Sequence, residues 1–540
     1  MYDLAIKNGF IVDGSGSKPF KAHVYVKDGK IAEISSGEHT AEKIIEAGYL
    51  KVSPGFVDIH SHSDCSFQQL PTHEGKLSQG VTFELVGQCG MSLVPLNKKN
   101  MESTIKSLSS AMGVPFDGRA FPAQAYAGNS SHGFICDFAH YAAEVNRRGI
   151  SVNLGALIGH GTLRSFLAGW ELRDLSETEM EAMCRLLDDL LSQGAVGLSL
   201  GLIYPPGSFC DTKEIMALAR TLARRDRLLA VHMRNENEGV FRAVDEIIGV
   251  ARETGVRLQI SHLKLMGESQ WGRADELLAA LEAARSEGIR VQCDQYPYTA
   301  SSSPLTSCFP GWAMEGGYER FVRRLRDNEE WDKIRQTGFP ELYKRGGPER
   351  TVITNTNGAQ KDLEGLNLIE AADKLGLPLF EAMREMLILC GGTIGCIYHS
   401  INEGDMLKIM AQRDIAIASD GTAFANSVSY NKFHPRSTST FPRFLRFVRE
   451  KKLMPIEDAI RKISALPARF MGLEDKIGKL APGFPADIAV FDEEKITDRA
   501  DYQTPHLAPD GISHVIVNGK IAYKDNSPTV NRSGTFYLMR

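Results

Sequence analysis

The sequence has no apolar run of the ~18–20 residues that a membrane span requires. It opens on Met1-Tyr2-Asp3-Leu4-Ala5-Ile6, with no basic stretch running into an apolar segment, so no secretory leader is expected. Charge of one sign is nearly missing too. Against 62 Lys+Arg stand 67 Asp+Glu, a formal net charge of −5 over 540 residues, which excludes a general electrostatic grip on nucleic acid or an anionic membrane. The nine cysteines fall at no regular close spacing, so they read as reduced thiols in a cytoplasmic protein and not as a disulfide framework. There is no internal repeat and no low-complexity tract. What remains, 43% hydrophobic and 24% charged residues, suits a large folded protein whose partner is a small molecule.

Both ends carry short alternating apolar runs around Asp-Gly and Asn-Gly turns, such as Lys27-Asp28-Gly29 and Asn518-Gly519, a hairpin signature. Residues 1–53 and 475–540 are therefore expected to build one small β-sandwich. Between them, eight short apolar strands alternate with helical segments, as in Leu228-Leu229-Ala230-Val231-His232 and the helix-like stretch Thr212 to Arg225. That alternation predicts parallel strands with crossover helices, an α/β (β/α)8 barrel over residues 54–474. After the seventh strand, residues from about 301 to 347 interrupt the pattern and read as an inserted subdomain.

Barrel enzymes place their chemistry at the C-terminal strand ends. His60-Ser61-His62 closes the first strand, and residues two apart on an extended chain point to one side, so both imidazoles can reach one metal. Cys89 follows the second strand, His232 closes the fifth, His262 the sixth, and Asp420 the eighth. Each alone has an ordinary structural explanation: a small buried thiol, a satisfied core histidine, a turn aspartate before Gly421. Together in one barrel mouth they point to a bound metal, beside which Asp420 can take a proton from bound water and later deliver it.

The ordered motifs Pro54-Gly55-Phe56-Val57-Asp58-Ile59-His60-Ser61-His62, Gly87-Gln88-Cys89-Gly90, Gly159-His160-Gly161-Thr162-Leu163-Arg164, Tyr204-Pro205-Pro206-Gly207, Ser261-His262-Leu263-Lys264, Asp294-Gln295-Tyr296-Pro297-Tyr298, Ser419-Asp420-Gly421 and His434-Pro435-Arg436 run through nearly the whole chain. With them the sequence resembles the amidohydrolase superfamily, specifically the D-aminoacylases, or N-acyl-D-amino-acid deacylases. It departs from many binuclear members in having no lysine between Gly194 and Asp211, where a carboxylated lysine would bridge two metals. The resemblance implies Zn²⁺ held tightly by Cys89, His232 and His262, with His60 and His62 lining a second, weaker position. It implies Asp420 as general base and then acid, Tyr204 polarising the acyl carbonyl, and Lys264 with Arg436 on the substrate α-carboxylate, assisted by Tyr296 and Ser301.

Two rivals stay open on the sequence: a hydantoinase- or dihydroorotase-like cyclic-amide hydrolase, and a metal-free scaffold protein. The missing lysine and the Lys264/Arg436 pair disfavour the first, and the intact ligand set disfavours the second. Ser301 to Glu319 holds no Lys or Arg but does hold Leu305, Cys308, Phe309, Trp312 and Met314. If these line the substrate side-chain pocket, neutral and mostly hydrophobic D-amino acids should be preferred, because a carboxylate there would be desolvated and unpaired.

Overall fold

The computed structural model describes residues 1–98, 100–112, 137–424 and 432–539. Eight parallel strands form its centre: β1 (Phe56–Asp58), β2 (Val81–Val86), β3 (Asn153–Ala156), β4 (Gly197–Gly201), β5 (Leu228–His232), β6 (Arg257–Ile260), β7 (Val291–Gln295) and β8 (Ile415–Ile417). One ladder runs β1-β2-β3, and a second runs β8-β7-β6-β5-β4 and ends on the short strand Ile158–Gly159, which continues β3 past Leu157. At the other edge, Asp420 N–H donates to the His60 carbonyl at 2.8 Å and His62 N–H to the Gly421 carbonyl at 2.8 Å. Joined at both edges, the parallel strands of this mixed α/β fold fit a barrel.

The side-chain pattern follows from period-2 alternation between two apolar layers. In β5, Leu228 and Ala230 join a cluster with Val57, Phe83, Leu85 and Ala416 from other parallel strands. Leu229 and Val231 pack instead with helix residues such as Ile215, Leu218 and Ile247. The flanking helices have identifiable starts: Ser176 and Glu179 form a capping box on helix Glu177–Ser192, and Asp211 caps Thr212–Arg224.

The two ends of the chain share one nine-stranded sheet, where strand Ile488–Phe491 pairs antiparallel with Lys51–Pro54. Ile488 and Val490 face a cluster with Leu4, Ile6 and Val24, while Ala489 and Phe491 face one with Phe56 and Phe441.

Between β7 and β8 the structure departs from the expected boundary. The extra elements do not stop near Gly347. They continue through strand Thr351–Asn355 and helices Leu368–Leu375 and Leu379–Leu389 to strand Gly395–Tyr398. Strands Ser301–Pro304 and Thr351–Asn355 flank Gly395–Tyr398 in an antiparallel sheet, and Phe321, Trp331, Ile353, Met386 and Tyr398 share one apolar cluster. The charged run at Arg323–Asp327 lies at the end of helix Tyr318–Arg326, with Leu325 buried.

Eight of the nine cysteines are described and none is in a disulfide; Cys136 lies outside the described residues. Among the described residues no helix is long and apolar enough to cross a membrane.

Candidate metal centre and substrate cleft

The residues picked out at the strand ends converge. His60, His62, Cys89, His232, His262 and Asp420 are all buried. Cys89 Sγ lies 3.4 Å from His60 Nε2, 3.6 Å from His232 Nδ1 and 3.7 Å from His262 Nε2. A tetrahedral zinc with Zn–S near 2.3 Å and Zn–N near 2.0–2.1 Å has S···N edges of about 3.6 Å, so this donor set has the dimensions zinc needs. Ligand atoms of His60, Cys89, His262 and Asp420 lie within 4.8 Å of one another, and His232, Glu236 and His262 form an overlapping group. His62 enters through Asp420: its Nε2 is 3.1 Å from Asp420 Oδ1, which is also 3.4 Å from His60 Nε2.

The backbone is bent to achieve this. Cys89, His262 and Asp420 have φ of 53°, 37° and 49°. Such left-handed residues each carry a strain of order 1–3 kcal/mol and concentrate at functional sites. The glycines flanking the Cys89 turn have no room for a side chain. A Cβ on Gly87 (φ 77°) would sit 2.2 Å from the Leu157 carbonyl oxygen, and one on Gly90 (φ 76°) 2.7 Å from Gly201 N.

Electrostatics set the protonation states. Burial pushes the Cys89 thiol up, but His60 and the other imidazoles outweigh it and hold the thiol well below its usual range. Burial lowers His62, yet Asp420 and Cys89 bring it up to about 9. Burial would raise Asp420, but Arg436 and then His60 and His262 hold it well below the usual carboxylate range. Arg436 Nη1 is 2.8 Å from Asp420 Oδ2.

Several supporting residues were not visible in the sequence. Glu236, four residues past His232, is 3.0 Å from His262 Nδ1 and 3.6 Å from His232 Nε2, and accepts from Lys264 Nζ at 2.5 Å. Asp294 accepts from His262 N–H at 2.8 Å and lies 3.5 Å from His60 Nδ1. Beneath the β8–β1 edge, Lys76 is fully buried, with Nζ 2.7 Å from Asp58 Oδ2, 3.2 Å from Glu84 Oε1 and 2.8 Å from Ser419 Oγ. Glu84 also accepts from Ser61 and Ser63, both at 2.6 Å, and lies 2.6 Å from His73 Nδ1. Only the Arg234–Asn237 run of polar residues after β5 could have hinted at Glu236.

The cleft above these candidate ligands is lined by Tyr204, Lys264, Tyr296, Ser301 and Arg436, among other residues. The Arg436 guanidinium lies 5.0 Å and Lys264 Nζ 5.7 Å from the centre of the Tyr296 ring. The Tyr296 hydroxyl is buried without a hydrogen-bond partner among the described residues. The Tyr204 ring packs edge-on to His232 at 5.0 Å, and burial holds its phenol well above its usual pKa, so it remains an O–H donor.

The expected apolar lining is only partly present. Met314 faces the cleft, but Leu305, Cys308 and Phe309 are buried in the apolar core of the inserted layer and Trp312 packs against it. In their place come Ser301, Ser302, Ser303, Thr306 and a cation from farther along the insert, Arg345.

A second buried group, His160, Cys210 and Glu214, does not suit a metal. Arg164 is paired with Glu214, and Arg234 Nη2 lies 3.6 Å from Cys210 Sγ, so two fixed positive charges oppose a cation there.

Comparison with known proteins agrees with this geometry. Residues 413–523 match the amidohydrolase family model. The chain is 34% identical over 529 residues to an N-acyl-D-glutamate deacylase of Alcaligenes xylosoxydans xylosoxydans, covering 98% of this chain and 95% of that one. It is 30% identical to a D-aminoacylase of the same organism, covering 99% and 97%. The crystal structure of N-acyl-D-glutamate deacylase from Bordetella bronchiseptica, complexed with zinc and a phosphonate mimic of the tetrahedral intermediate, superposes with a TM-score of 0.82 at 31% identity, covering 99% of each chain.

Proposed function

Because the chain belongs to the D-aminoacylase family of amidohydrolases, we propose that it hydrolyses N-acyl-D-amino acids to a carboxylate and the free D-amino acid. The observation that carries this reading is the Cys89–His60–His232–His262 cluster, with zinc-sized separations, beneath a cleft bearing Lys264 and Arg436. The same reading makes residues 54–474 a (β/α)8 barrel carrying the inserted layer, and 1–53 with 475–540 one β-sandwich. The joined parallel ladders and the Ile488–Phe491 to Lys51–Pro54 pairing support that division. The eight described unpaired cysteines support a reducing compartment such as the cytoplasm.

Cys89, His232 and His262 would hold one zinc tightly, and His60 and His62 would line a weaker second position. Zinc in such a site supplies Lewis acidity toward the acyl oxygen and toward water. The chain's own groups do the rest. Arg436 and Lys264 receive the α-carboxylate, with the partnerless Tyr296 hydroxyl and Ser301 as further donors. Tyr204, kept protonated, donates to the acyl oxygen as negative charge develops there. Asp420 begins as the carboxylate and takes the proton of the attacking water. The substrate carboxylate, by engaging Arg436, weakens the charge that holds Asp420 low. Asp420 then retains that proton long enough to deliver it to the departing nitrogen.

The test is a panel of N-acetyl-D-amino acids, their L-isomers and a hydantoin, offered to the zinc-loaded protein. Turnover confined to the D-series is expected. Hydantoin hydrolysis without D-series turnover would assign the cyclic-amide activity instead.

A further inference from the structure

The proposed mechanism gives no task to the charges buried beneath the β8–β1 edge, yet their bonds end on the segments that carry Asp420 and the first-strand histidines. Asp58 Oδ1 accepts from Ser419 N–H at 2.9 Å and from His60 N–H at 3.4 Å, and Asp58 Oδ2 accepts from Ser419 Oγ at 2.5 Å. Ser419 Oγ in turn accepts from Lys76 Nζ at 2.8 Å and from Gly421 N–H at 3.0 Å, so both chain neighbours of Asp420 are held. On the first-strand side, Ser61 and Ser63 each donate to Glu84 Oε1 at 2.6 Å. Ser61 Oγ also lies 3.1 Å from the Gly421 carbonyl, and Ser63 Oγ accepts from Ala423 N–H at 2.9 Å. Lys76 Nζ, 2.7 Å from Asp58 and 3.2 Å from Glu84, joins the two carboxylates.

Asp420 needs such support. Its φ of 49° is left-handed, a conformation that persists only where the surroundings over-determine it. Its carboxylate is held by Arg436 on Oδ2 at 2.8 Å and by His62 on Oδ1 at 3.1 Å. Once the substrate carboxylate engages Arg436, the hold on Oδ2 weakens, and the aim of the group rests on the imidazoles and on the backbone beneath it. We propose that the Lys76–Asp58–Glu84 network is a positioning device for Asp420, fixing the eighth-strand end against the first so that the carboxylate faces the attacking water. This deepens the deacylase reading and rests on it. Lys76 acts through Ser419, Ser61 and Ser63 and not by contact with substrate.

The experiment separates positioning from stability. Lys76→Met/Glu84→Gln removes one uncompensated charge along with the ammonium, but leaves Ser419 and Asp58 without the group that held them. The zinc-loaded double variant, assayed on the best N-acetyl-D-amino acid of the wild type, should keep KM within about threefold and lose kcat by ~10-fold or more, since a misplacement of ~1 Å can cost ~10²-fold. It should retain the tight zinc, because Cys89, His232 and His262 lie past the second, fifth and sixth strands. In an Asp420→Asn background the same two substitutions should cost less than about threefold in kcat, because the group they position is already disabled. Ser419→Ala, which deletes one hydroxyl and leaves Lys76 with both carboxylates, should show the same dependence on Asp420 with a smaller loss. Wild-type kcat in both the double variant and Ser419→Ala would overturn the proposal. So would equal losses with and without Asp420, or loss of the tight zinc, since either would make the network a staple of the fold. Absence of turnover by the wild type on every N-acetyl-D-amino acid is a separate failure, which would refute the deacylase reading and this inference with it.

Discussion

Lys76→Met should remove the charge that makes two buried carboxylates tolerable. Asp58, Glu84 and Lys76 are each 0% exposed, and Lys76 Nζ stands 2.7 Å and 3.2 Å from the two acids. Burial alone would raise Glu84, but Lys76 and then His73 hold it far below 4.5. Breaking a buried pair by deleting one partner costs about 3–5 kcal/mol, because the other charge is left uncompensated. With an m-value of roughly 3 kcal/mol/M or more in urea for a large chain, the midpoint should fall by about 1 M. The pH dependence has a definite sign. In the wild type, the depressed Glu84 contributes stability that is complete above its unfolded pKa and is lost as pH falls toward the folded value. In Lys76→Met, burial raises Glu84 instead, so the variant is penalised at neutral pH and relieved as the carboxyl protonates. The gap between the two midpoints should therefore be widest near pH 7 and narrow toward pH 4–5. Lys76→Met/Glu84→Gln should recover part of the loss at pH 7. A urea midpoint within about 0.3 M of wild type, or a gap that widens in acid, would refute this account of the network.

Cys89→Ala should lose the tight zinc and most activity, because one of three strong ligands is gone; metal analysis of the purified variant checks it, and full retention of one zinc with normal turnover would remove Cys89 from the ligand set. Asp420→Asn should keep zinc while kcat drops ~10²-fold or more, the usual scale of lost acid–base catalysis. Lys264→Ala and Arg436→Ala should raise KM for N-acyl-D-amino acids, and the penalty should shrink when the α-carboxylate is replaced by a neutral amide. Equal losses on both substrates would mean that these cations read something other than that carboxylate.

What could be read from the sequence depended on how local the cause was. The eight strands were legible because each is a short, largely apolar run, and His60, His62, Cys89, His232, His262 and Asp420 were legible because they fall at or just past the C-terminal ends of such runs. Glu236, Asp294 in its supporting contacts, and the Lys76–Asp58–Glu84 network depend on partners far away in the chain: Lys76 meets Ser419 across the β8–β1 edge, and nothing near either residue announces the other. The inserted layer was under-read for a similar reason. Ser301–Pro304, a Ser-Ser-Ser-Pro stretch, has no intrinsic strand preference and is extended because Gly395–Tyr398 lies beside it. Phe309 misled because an aromatic near a site says nothing about which way it faces; here it packs near Trp331 in the core of the insert.

The pairing of Lys51–Pro54 with Ile488–Phe491 has a consequence in time. Between Pro54 and Ile488 lie 488 − 54 − 1 = 433 residues. At a synthesis rate of ~5–20 residues/s, the first of these strands leaves the ribosome roughly 20–90 s before its neighbour exists. Until then it can form only its short parallel contact with Phe10–Ile11 and must present its other edge unpaired. An open strand edge on a nascent chain invites pairing with another copy. This protein therefore passes through a vulnerable interval whose length is set by translation, and slowing elongation through the middle of the message should increase the aggregated fraction with no change in the native state.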